Sequence, residues 1–356
     1  MVASIQWARG VVVAVITTRP GLQELDCQLA DGSLIAAIAY TDLVGTLTDG
    51  DEVWLNLQAL TLGLGTGGFA FVVSPAALPH AVGDGLTGAD QADKEAEAQA
   101  RNPRPVPAVA CPDIGTDSGY LVKARYTPLQ VVARGVDSPH SPYHDTLAKA
   151  ESLEGMPVVV ADLHSSLPAI CAAISHDAVA AAATPPRLAY IMTDGAALPI
   201  AFSRTVARLV ADGTLSTTIT AGQAYGGDLE AVSVQSALLA AKHVAQADIA
   251  ICVQGPGNLG SDTPWGFSGL AVGDVINAIS VLSGRAVGCL RVSGADLRPR
   301  HRGLSHHSLT AYGRVALASA DLALPQFSGK LAELGRAVEE AARPLTQRHH
   351  LVPVSL

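Results

Sequence analysis

The sequence predicts an α/β protein in which a small all-β, barrel-like module precedes a doubly wound, mostly parallel α/β domain. Three observations support this fold class. Short stretches within residues 10–75 alternate between apolar and polar side chains, residues 80–109 are polar and then proline-rich, and later apolar runs alternate with helical patterns. We therefore expect the barrel-like module over residues 1–78, a linker over 79–114 and the α/β domain over 115–356.

The strands of the first module are short, as a small barrel requires. In LQELDCQLA, Leu25, Cys27 and Leu29 face one side of a strand, and the polar residues between them face the other side. Asp31-Gly32 then predicts a hairpin turn. About five antiparallel strands would leave bare edges in an open sheet, and closure into a barrel removes those edges. Such a module serves either as a docking surface or as a packing element without a ligand.

The second domain shows strands that alternate with helices. The strands are continuously apolar, as in VVVA, YIM and IAICV, which is expected where helices cover both faces of a parallel sheet. Right-handed crossovers connect strands of this kind. The predicted strands span residues 157–162, 187–193, 215–220, 248–254 and 286–293.

The composition argues against several classes of protein. The net charge of −9 argues against a general nucleic-acid binder, which normally presents a basic face. The sequence has no run of about 20 strongly apolar residues, so we expect no membrane-spanning segment. The 5 cysteines are far apart and form no CxxC motif, which favours reduced thiols and a cytoplasmic location. Charged residues make up only 15% of the chain, and this favours a homo-oligomer that buries part of its surface.

Polar residues gather where the predicted strands end. The segments that follow the strands include DLHSS, DG, AGQAYGGDLE, GPGNLGSDTPWGFSG and GADLRPRHRGLSHH, whereas the opposite ends carry plain turns. In open parallel sheets, ligands bind in the crevice beyond the carboxyl ends of the strands. We therefore expect one crevice there that binds a small molecule; the alternative is that polar residues simply collect in loops.

Several segments of the chain resemble a known family. They are KARYTPLQ (residues 123–130), DLHSSLPAI, TDGAALPIAFS, GQAYGGDLEAV, GPGNLG with GFSG, and RHRGLSHHSLTA. Together they look like an uncharacterised bacterial family, domain-of-unknown-function family 3866, and the similarity runs over nearly the whole chain, including the barrel-like module. The family brings no established activity, so the resemblance assigns no role to any residue.

Two loops suggest that the ligand is an anion. Gly255–Gly260 fits GxGxxG after a strand, but Pro264 and Trp265 intervene before the next helix, and Arg291 stands where a nucleotide site would have an acid. A glycine-lined turn that lets a ligand or another loop approach closely is therefore favoured, and an anion cradle of backbone N–H groups is favoured over a nucleotide site. The second loop, Arg298–His307, concentrates arginine and histidine in an acidic protein, which suits phosphate or carboxylate capture. Its alternative is a solvated loop whose charges pair with nearby acids.

These strand-end loops supply the candidate site residues. The candidate catalytic or acid–base groups are His164, Asp194, Asp228, His301 and His306. The candidate ligand-binding residues are Gln223, Gly255, Gly257, Gly260, Arg300 and His307. Together with Asp162, the His and Asp residues are of types that ligate metals, but the chain has no HExxH, CxxC pair or EF-hand spacing. The sequence therefore identifies neither a metal nor a cofactor.

Two classes of function remain open. One is an enzyme, a hydrolase or transferase, that acts on a small anionic or polar metabolite in the crevice. The other is a non-catalytic metabolite-binding or assembly protein that docks through its barrel. The chain has no GxSxG elbow and no Walker loop, which argues against serine hydrolases of that type and P-loop enzymes. The crowding of acid, His and Arg favours the enzyme, and the lack of a recognised nucleophile or metal motif favours the binding protein.

Overall fold

The structure is a computed structural model, and it describes residues 6–61, 68–76, 120–124, 129, 131–180 and 184–355. The chain divides into two units, Met1–Asp117 and Ser118–Leu356. The predicted linker over residues 79–114 lies outside the described residues. Among the helices that are described, none is long and apolar enough to cross a membrane.

The first unit contains a closed barrel of five strands, which confirms the predicted β-barrel. Its elements are β1 (Trp7–Arg19), β2 (Leu22–Leu29), β3 (Leu34–Ala39), α1 (Thr41–Val44), β4 (Glu52–Asn56), α2 (Gln58–Thr61) and β5 (Ala70–Pro75). The order around the barrel is β1-β2-β3-β5-β4, and the pairing of β3 with β5 is parallel, whereas the sequence predicted antiparallel strands throughout. Leu25 and Cys27 are buried in its core, as the alternation predicts. Gln23 is buried as well, because its amide makes two hydrogen bonds with the backbone of Leu47.

The second unit is built on a parallel sheet of eight strands, which confirms the predicted α/β architecture. The strands of this unit are β6 (Tyr120–Lys123), β7 (Val131–Arg134), β8 (Pro157–Ala161), β9 (Leu188–Thr193), β10 (Thr217–Ala221), β11 (Leu229–Ala231), β12 (Ile249–Gln254), β13 (Arg285–Cys289), β14 (Val292–Ser293), β15 (Gly303–Leu304), β16 (Asp321–Gln326) and β17 (His350–Ser355). The sheet has the order β11-β10-β9-β12-β8-β13-β16-β17. Two antiparallel ribbons pair β6 with β7 and β14 with β15.

Helices bury both faces of this sheet. They are α3 (His144–Leu147), α4 (Leu167–Ala180), α5 (Arg204–Ala211), α6 (Val234–His243), α7 (Ala271–Val281), α8 (His306–Thr310) and α9 (Ala332–Ala342). Val158 and Val160 of β8 belong to one apolar cluster with residues of α6, α7 and α9, and Ala161 belongs to a second cluster with residues of α4 and α5. Burial on both faces explains why these strands are continuously apolar in sequence.

The order of the strands creates a topological switch between β8 and β12, which are neighbours in the sheet. The chain runs from β8 to β9 on one side, and it runs from β12 to β13 on the other. The two connections diverge beyond the carboxyl ends of these strands, and such divergence leaves a crevice in an open parallel sheet.

Two short segments differ from the sequence-based expectation. The predicted strand over residues 286–293 leaves the sheet after Cys289, and Val292–Ser293 form β14 in the ribbon with β15. LEA at residues 229–231 reads as the start of a helix, but it forms the edge strand β11. The carboxylate of Asp228 accepts hydrogen bonds from the backbone N–H and the hydroxyl of Thr218 in β10, at 2.8 and 2.9 Å. This tie aligns the following residues with β10, and α6 begins only after Ser233, whose side chain caps it.

Candidate functional site

A cavity of about 740 Å³ opens at the carboxyl ends of β8, β12 and β13. Its walls come mainly from the loops that follow these strands: residues 163–165, residues 256–263 with Gly266 and Phe267, and parts of 291–307. Pockets that hold a small molecule have volumes of roughly 300–1,000 Å³. The cavity therefore has a suitable size and lies at the switch point, where open parallel sheets bind ligands.

The cavity brings together seven of the eleven residues that the sequence suggested. They are His164, Gly257, Gly260, Arg300, His301, His306 and His307. These residues are far apart in the sequence, and they meet because the strands that precede them are neighbours in the sheet. The other four, Asp194, Asp228, Gln223 and Gly255, are not part of the lining.

The polar residues outside the lining hold neighbouring loops in place. Asp194 accepts a hydrogen bond from the backbone N–H of Gln223 at 2.8 Å, and the Gln223 side chain accepts one from the backbone N–H of Ala124 at 2.8 Å. Asp228 is occupied by Thr218, as described above. Their loops follow β9 and β10, on the far side of β12 from β8. Each of these groups thus has a structural partner of its own.

Gly255 allows two loops to approach closely. A Cβ atom at this position would lie 2.5 Å from the carbonyl oxygen of Ala197, in the loop after β9. Beyond Gly255 the chain folds back as a narrow hairpin, in which Gly260 pairs with Phe267. A dinucleotide fingerprint instead enters a helix directly from its glycine turn. The GxGxxG pattern here is therefore a loop that shapes the cavity.

His164 lines the cavity, and both of its ring nitrogens face protein groups. Its Nε2 lies 2.7 Å from Oγ of Ser203, and its Nδ1 lies 3.2 Å from the Tyr190 hydroxyl and 3.3 Å from the carbonyl oxygen of Gln254. Burial lowers the pKa of His164 below the ordinary value of 6.5, so the ring is neutral at neutral pH. A proton on Nδ1 facing the carbonyl, with Nε2 accepting from Ser203, satisfies both nitrogens.

His301, His306 and His307 form a compact cluster in the cavity wall. One ring nitrogen from each lies within 4.8 Å of the other two. His301 and His307 are only 2% and 9% exposed. Burial, reinforced by the Arg291 charge and the neighbouring histidines, lowers the pKa of His301 to about 4, and burial also lowers the pKa of His306. Neutral imidazoles in such a cluster can accept a proton or ligate a metal ion.

Local structure fixes the arrangement of this cluster. Gly303, with a φ of +74°, turns the chain between the 3₁₀ turn that ends at His301 and the start of α8. Ser305 caps α8 by accepting from the backbone N–H of His307, and its Oγ also lies 2.8 Å from Nδ1 of His301. The ring of Phe267 stacks on His307 with 3.7 Å between centroids and an angle of 2° between planes.

Three arginines give the cavity a cationic lining in an acidic protein. Arg298 binds the carboxylate of Asp296 through two hydrogen bonds of 3.0 and 2.9 Å, and Nη2 of Arg291 lies 3.6 Å from the same carboxylate. Arg300 pairs with Asp262. The Arg300 and Asp262 side chains are 38% and 69% exposed, so their pairing is in contact with solvent.

The sequence-based candidates omitted Phe267, which lines the cavity, and Gln254, which contacts the lining residues His164 and Asn258. Gln254 is 4% exposed, and its Nε2 donates to the backbone carbonyl of Asp162 at 2.9 Å and to the side chain of Asn258. The available signal was a polar residue that ends the otherwise apolar run IAICVQ. Phe267 gave no signal, because its role depends on stacking against a residue 40 positions later.

The comparisons with known proteins identify a family but no activity. A family model described as "Protein of unknown function (DUF3866)" matches residues 36–355, which is most of the chain. No curated protein matches the sequence. A crystal structure of muconate lactonizing enzyme from Klebsiella pneumoniae is similar at 12% identity with a TM-score of 0.18, over 97% of this chain and 78% of that chain. A similarity at this level carries no argument about fold or activity.

Proposed function

We propose that this protein, which belongs to domain-of-unknown-function family 3866, binds a small anionic metabolite in the cavity of its second unit and acts on it as a hydrolase or transferase. The observation that carries the proposal is the presence of three arginines and several neutral imidazoles in one cavity. Arginine binds carboxylates and phosphates through paired hydrogen bonds. Neutral imidazoles beside such an anion are suited to proton transfer.

Arg300 is the side chain that we assign to anion capture. It lines the cavity, and its present partner, Asp262, is more exposed than Arg300 itself. Exposed ion pairs contribute only about 0–1 kcal/mol, so a ligand anion can replace the Asp262 carboxylate at little cost. Arg298 and Arg291 are tied to Asp296, and they add positive potential to the same wall.

His164 is the group that we assign to proton transfer. Its ring lines the cavity, and its lowered pKa keeps it neutral and therefore able to accept a proton. Its Nε2 contacts the hydroxyl of Ser203, which is both a donor and an acceptor. A proton from the ligand therefore reaches Nε2 through Ser203, whose hydroxyl takes the ligand's proton as it gives its own to the imidazole.

A non-catalytic metabolite-binding protein is the second candidate, and one observation favours it. Both ring nitrogens of His164 already have partners within the protein, as a purely structural histidine would. In this case the cavity binds the same anion without chemistry, and the barrel serves as a docking module. The two candidates share the ligand and differ only in turnover.

Calorimetric titration of the full-length protein with inorganic phosphate tests the anion site. Loss of a charge-assisted hydrogen bond costs roughly 1.5–3 kcal/mol, so Arg300→Gln is expected to weaken phosphate binding by about 10- to 100-fold. Arg285→Gln is the matched control, because Arg285 is also paired with an aspartate but lies at the amino end of β13. Equal affinities for phosphate in the two variants would overturn the proposal.

Turnover distinguishes the enzyme from the binding protein. A chromogenic phosphate ester and a chromogenic carboxylate ester serve as probes of hydrolysis. We expect hydrolysis of at least one by the wild type, with a large loss in His164→Gln and no loss in His176→Gln, whose side chain is 82% exposed. Phosphate binding without hydrolysis of either ester would favour the binding protein.

A further inference from the structure

We propose that His301, His306 and His307 form a binding site for one divalent transition-metal ion of the zinc class in the wall of the cavity. The inference rests on the proposed function only in that the same cavity holds the ligand. The evidence for the metal site is the geometry of the three imidazoles and of the side chains of Ser305 and Asp162, which contact two of them.

The distances between the ring nitrogens suit a metal centre. The three nitrogens lie within 4.8 Å of one another. In a tetrahedral zinc site with Zn–N bonds of about 2.0–2.1 Å, ligand nitrogens are separated by roughly 3.3 Å. Contraction by about 1.5 Å at most is therefore enough to bring all three onto one ion.

The groups behind the rings leave one nitrogen of each free to bind the ion. Nδ1 of His301 lies 2.8 Å from Oγ of Ser305, and Nδ1 of His307 lies 3.4 Å from Oδ2 of Asp162. Histidines that ligate metals characteristically give their second nitrogen to a carboxylate, a carbonyl or another polar group. Nε2 is then the nitrogen that His301 and His307 have available for the metal.

Three buried polar atoms at or beside this place have no hydrogen-bond partner among the described residues. They are Nε2 of His306, Oε1 of Gln254, and Oδ2 of Asp162, which lies 3.4 Å from Nδ1 of His307 without a hydrogen bond between them. Buried polar atoms are nearly always paired, and an unpaired one calls for an explanation such as an ion. A metal on His306 would satisfy its Nε2. A metal on His307 would hold the proton of that ring on Nδ1, where it faces the Asp162 carboxylate.

The main charge opposing a cation here is that of Arg291. Its Nη1 lies 3.4 Å from Nδ1 of His307, the same distance as the carboxylate oxygen of Asp162. Arg291 can only donate a hydrogen bond to Nδ1, whereas the Asp162 carboxylate can only accept one from it. A metal on Nε2 leaves the ring proton on Nδ1, and this favours the contact with Asp162. Nη2 of Arg291 also lies 3.6 Å from Oδ2 of Asp296, and this carboxylate offsets part of the Arg291 charge.

Three protein ligands leave a fourth position for water or substrate, which is the pattern of catalytic zinc sites. When bound, such an ion polarises a carbonyl or phosphoryl oxygen and acidifies bound water. The cationic arginines of the same cavity would then hold the anionic part of the substrate beside it. A metal bound here would make the proposed hydrolase or transferase metal-assisted.

Cobalt titration tests the site directly, with Co²⁺ alone as the probe and full-length protein that carries no polyhistidine tag. We expect one equivalent to bind, with the intense visible absorption of four- or five-coordinate cobalt, and Zn²⁺ to displace it. His306→Gln should weaken binding at least 100-fold, and His176→Gln should leave it unchanged. Asp162→Asn should weaken it by about 10- to 100-fold while leaving all three ligands in place. Thermal melts establish that each variant is folded.

The inference fails if the wild type binds no stoichiometric cobalt, or if folded His306→Gln binds it as the wild type does. Its failure is separable from failure of the proposed function. Phosphate binding that depends on Arg300, without cobalt binding, overturns the metal site and leaves the anion site standing. Cobalt binding that depends on His306, without phosphate binding, supports the metal site and overturns the anion site.

Discussion

The side-chain amide of Gln254 donates a hydrogen bond of 2.9 Å to the backbone carbonyl of Asp162, and it thereby joins the carboxyl ends of the two central strands. The contact bridges β12 and β8 at the point where their connections diverge. It also fixes the backbone of Asp162, whose carboxylate faces His307. One amide therefore links the sheet to the wall of the cavity.

Gln254→Ala is expected to lower the free energy of unfolding by roughly 1–3 kcal/mol, because it removes a buried hydrogen bond and leaves the Asp162 carbonyl without this donor. Urea unfolding of the full chain measures the change. Gln235→Ala, at an exposed position of α6, is the control and should change stability by no more than about 0.5 kcal/mol. Equal losses in both variants would refute the bridging role of Gln254.

Lys123 and Glu230 form a buried ion pair, and breaking it should be costly. Nζ of Lys123 donates to Glu230 Oε2 at 2.5 Å and also to the carbonyl oxygens of Ala224 and Thr220 at 2.5 and 3.3 Å. Lys123→Met leaves an uncompensated carboxylate and should destabilise the protein by about 3–5 kcal/mol. Lys123→Met/Glu230→Gln should lose less than the sum of the single variants. Additive losses in a double-mutant cycle of urea unfolding would argue against coupling.

Asp262 competes with the ligand for Arg300 if the proposed anion site is correct. Asp262→Asn should therefore tighten phosphate binding, by up to about fivefold, which corresponds to the 0–1 kcal/mol of an exposed pair. Asp177→Asn removes the same charge from a side chain that is 89% exposed and unconnected to Arg300, so it controls for net charge. Calorimetry that found the same affinity in both variants would place Asp262 outside the competition.

The buried ring of His349 should make the folded protein less stable in acid. Its Nδ1 accepts from the backbone N–H of Ala320 at 3.2 Å, and its Nε2 lies 2.8 Å from the carbonyl oxygen of Tyr312, so the folded state needs the neutral ring. Burial, with a contribution from the Arg348 charge, lowers its pKa below 6.5. The unfolded state therefore binds the proton first, and the free energy of unfolding falls as the pH drops below about 6.5.

Urea unfolding between pH 7 and pH 5 measures this slope, to which one histidine contributes at most about 1.4 kcal/mol per pH unit. His349→Gln should flatten the slope, and His176→Gln should not. The other buried histidines keep the slope from vanishing in His349→Gln. An unchanged slope in that variant would show that His349 does not contribute.

We also expect the protein to form a homo-oligomer. Charged residues are only 15% of the chain, and several large apolar side chains of the barrel are exposed, among them Trp7, Ile16 and Leu34 at 52%, 57% and 65%. Burial of such side chains in a symmetric contact is favourable. Light scattering at micromolar concentration should return a mass of at least two chains, and a monomer mass would contradict the expectation.

The strands of the sheet could be predicted because the burial of each strand is visible as a continuous apolar run in the local sequence. Every residue of LAYIMT is buried in β9. A short, continuously apolar run of this kind is typical of a strand that is covered on both faces of a parallel sheet. The edge strand β11 could not be predicted in the same way. Its three residues depend on a side chain of Asp228 that reaches Thr218 of the preceding strand, and this contact has no local pattern.

The candidate site was predictable in type and less so in detail. The rule that ligands bind beyond carboxyl ends selected all five polar loops, but the described lining comes mainly from the loops after β8, β12 and β13, with Thr205 of α5 added from the segment after β9. Asp194 was chosen for the same reason as His164, yet it does not line the cavity, and its carboxylate accepts a hydrogen bond from the backbone N–H of Gln223 instead. Contacts between residues so far apart in the chain leave no local pattern, so local sequence gave Asp194 and His164 equal weight.

The insertion of β12 between β8 and β9 has a consequence for folding kinetics. The two residues that meet at the switch, Asp162 and Gln254, are 92 positions apart, so their loop must close before the cavity exists. Long-range parallel pairing is slow because chain entropy is lost before contacts form. Cavity formation should therefore be among the last events of folding. A ligand added during refolding would not accelerate the earlier steps, but it would stabilise the folded state once the cavity has formed.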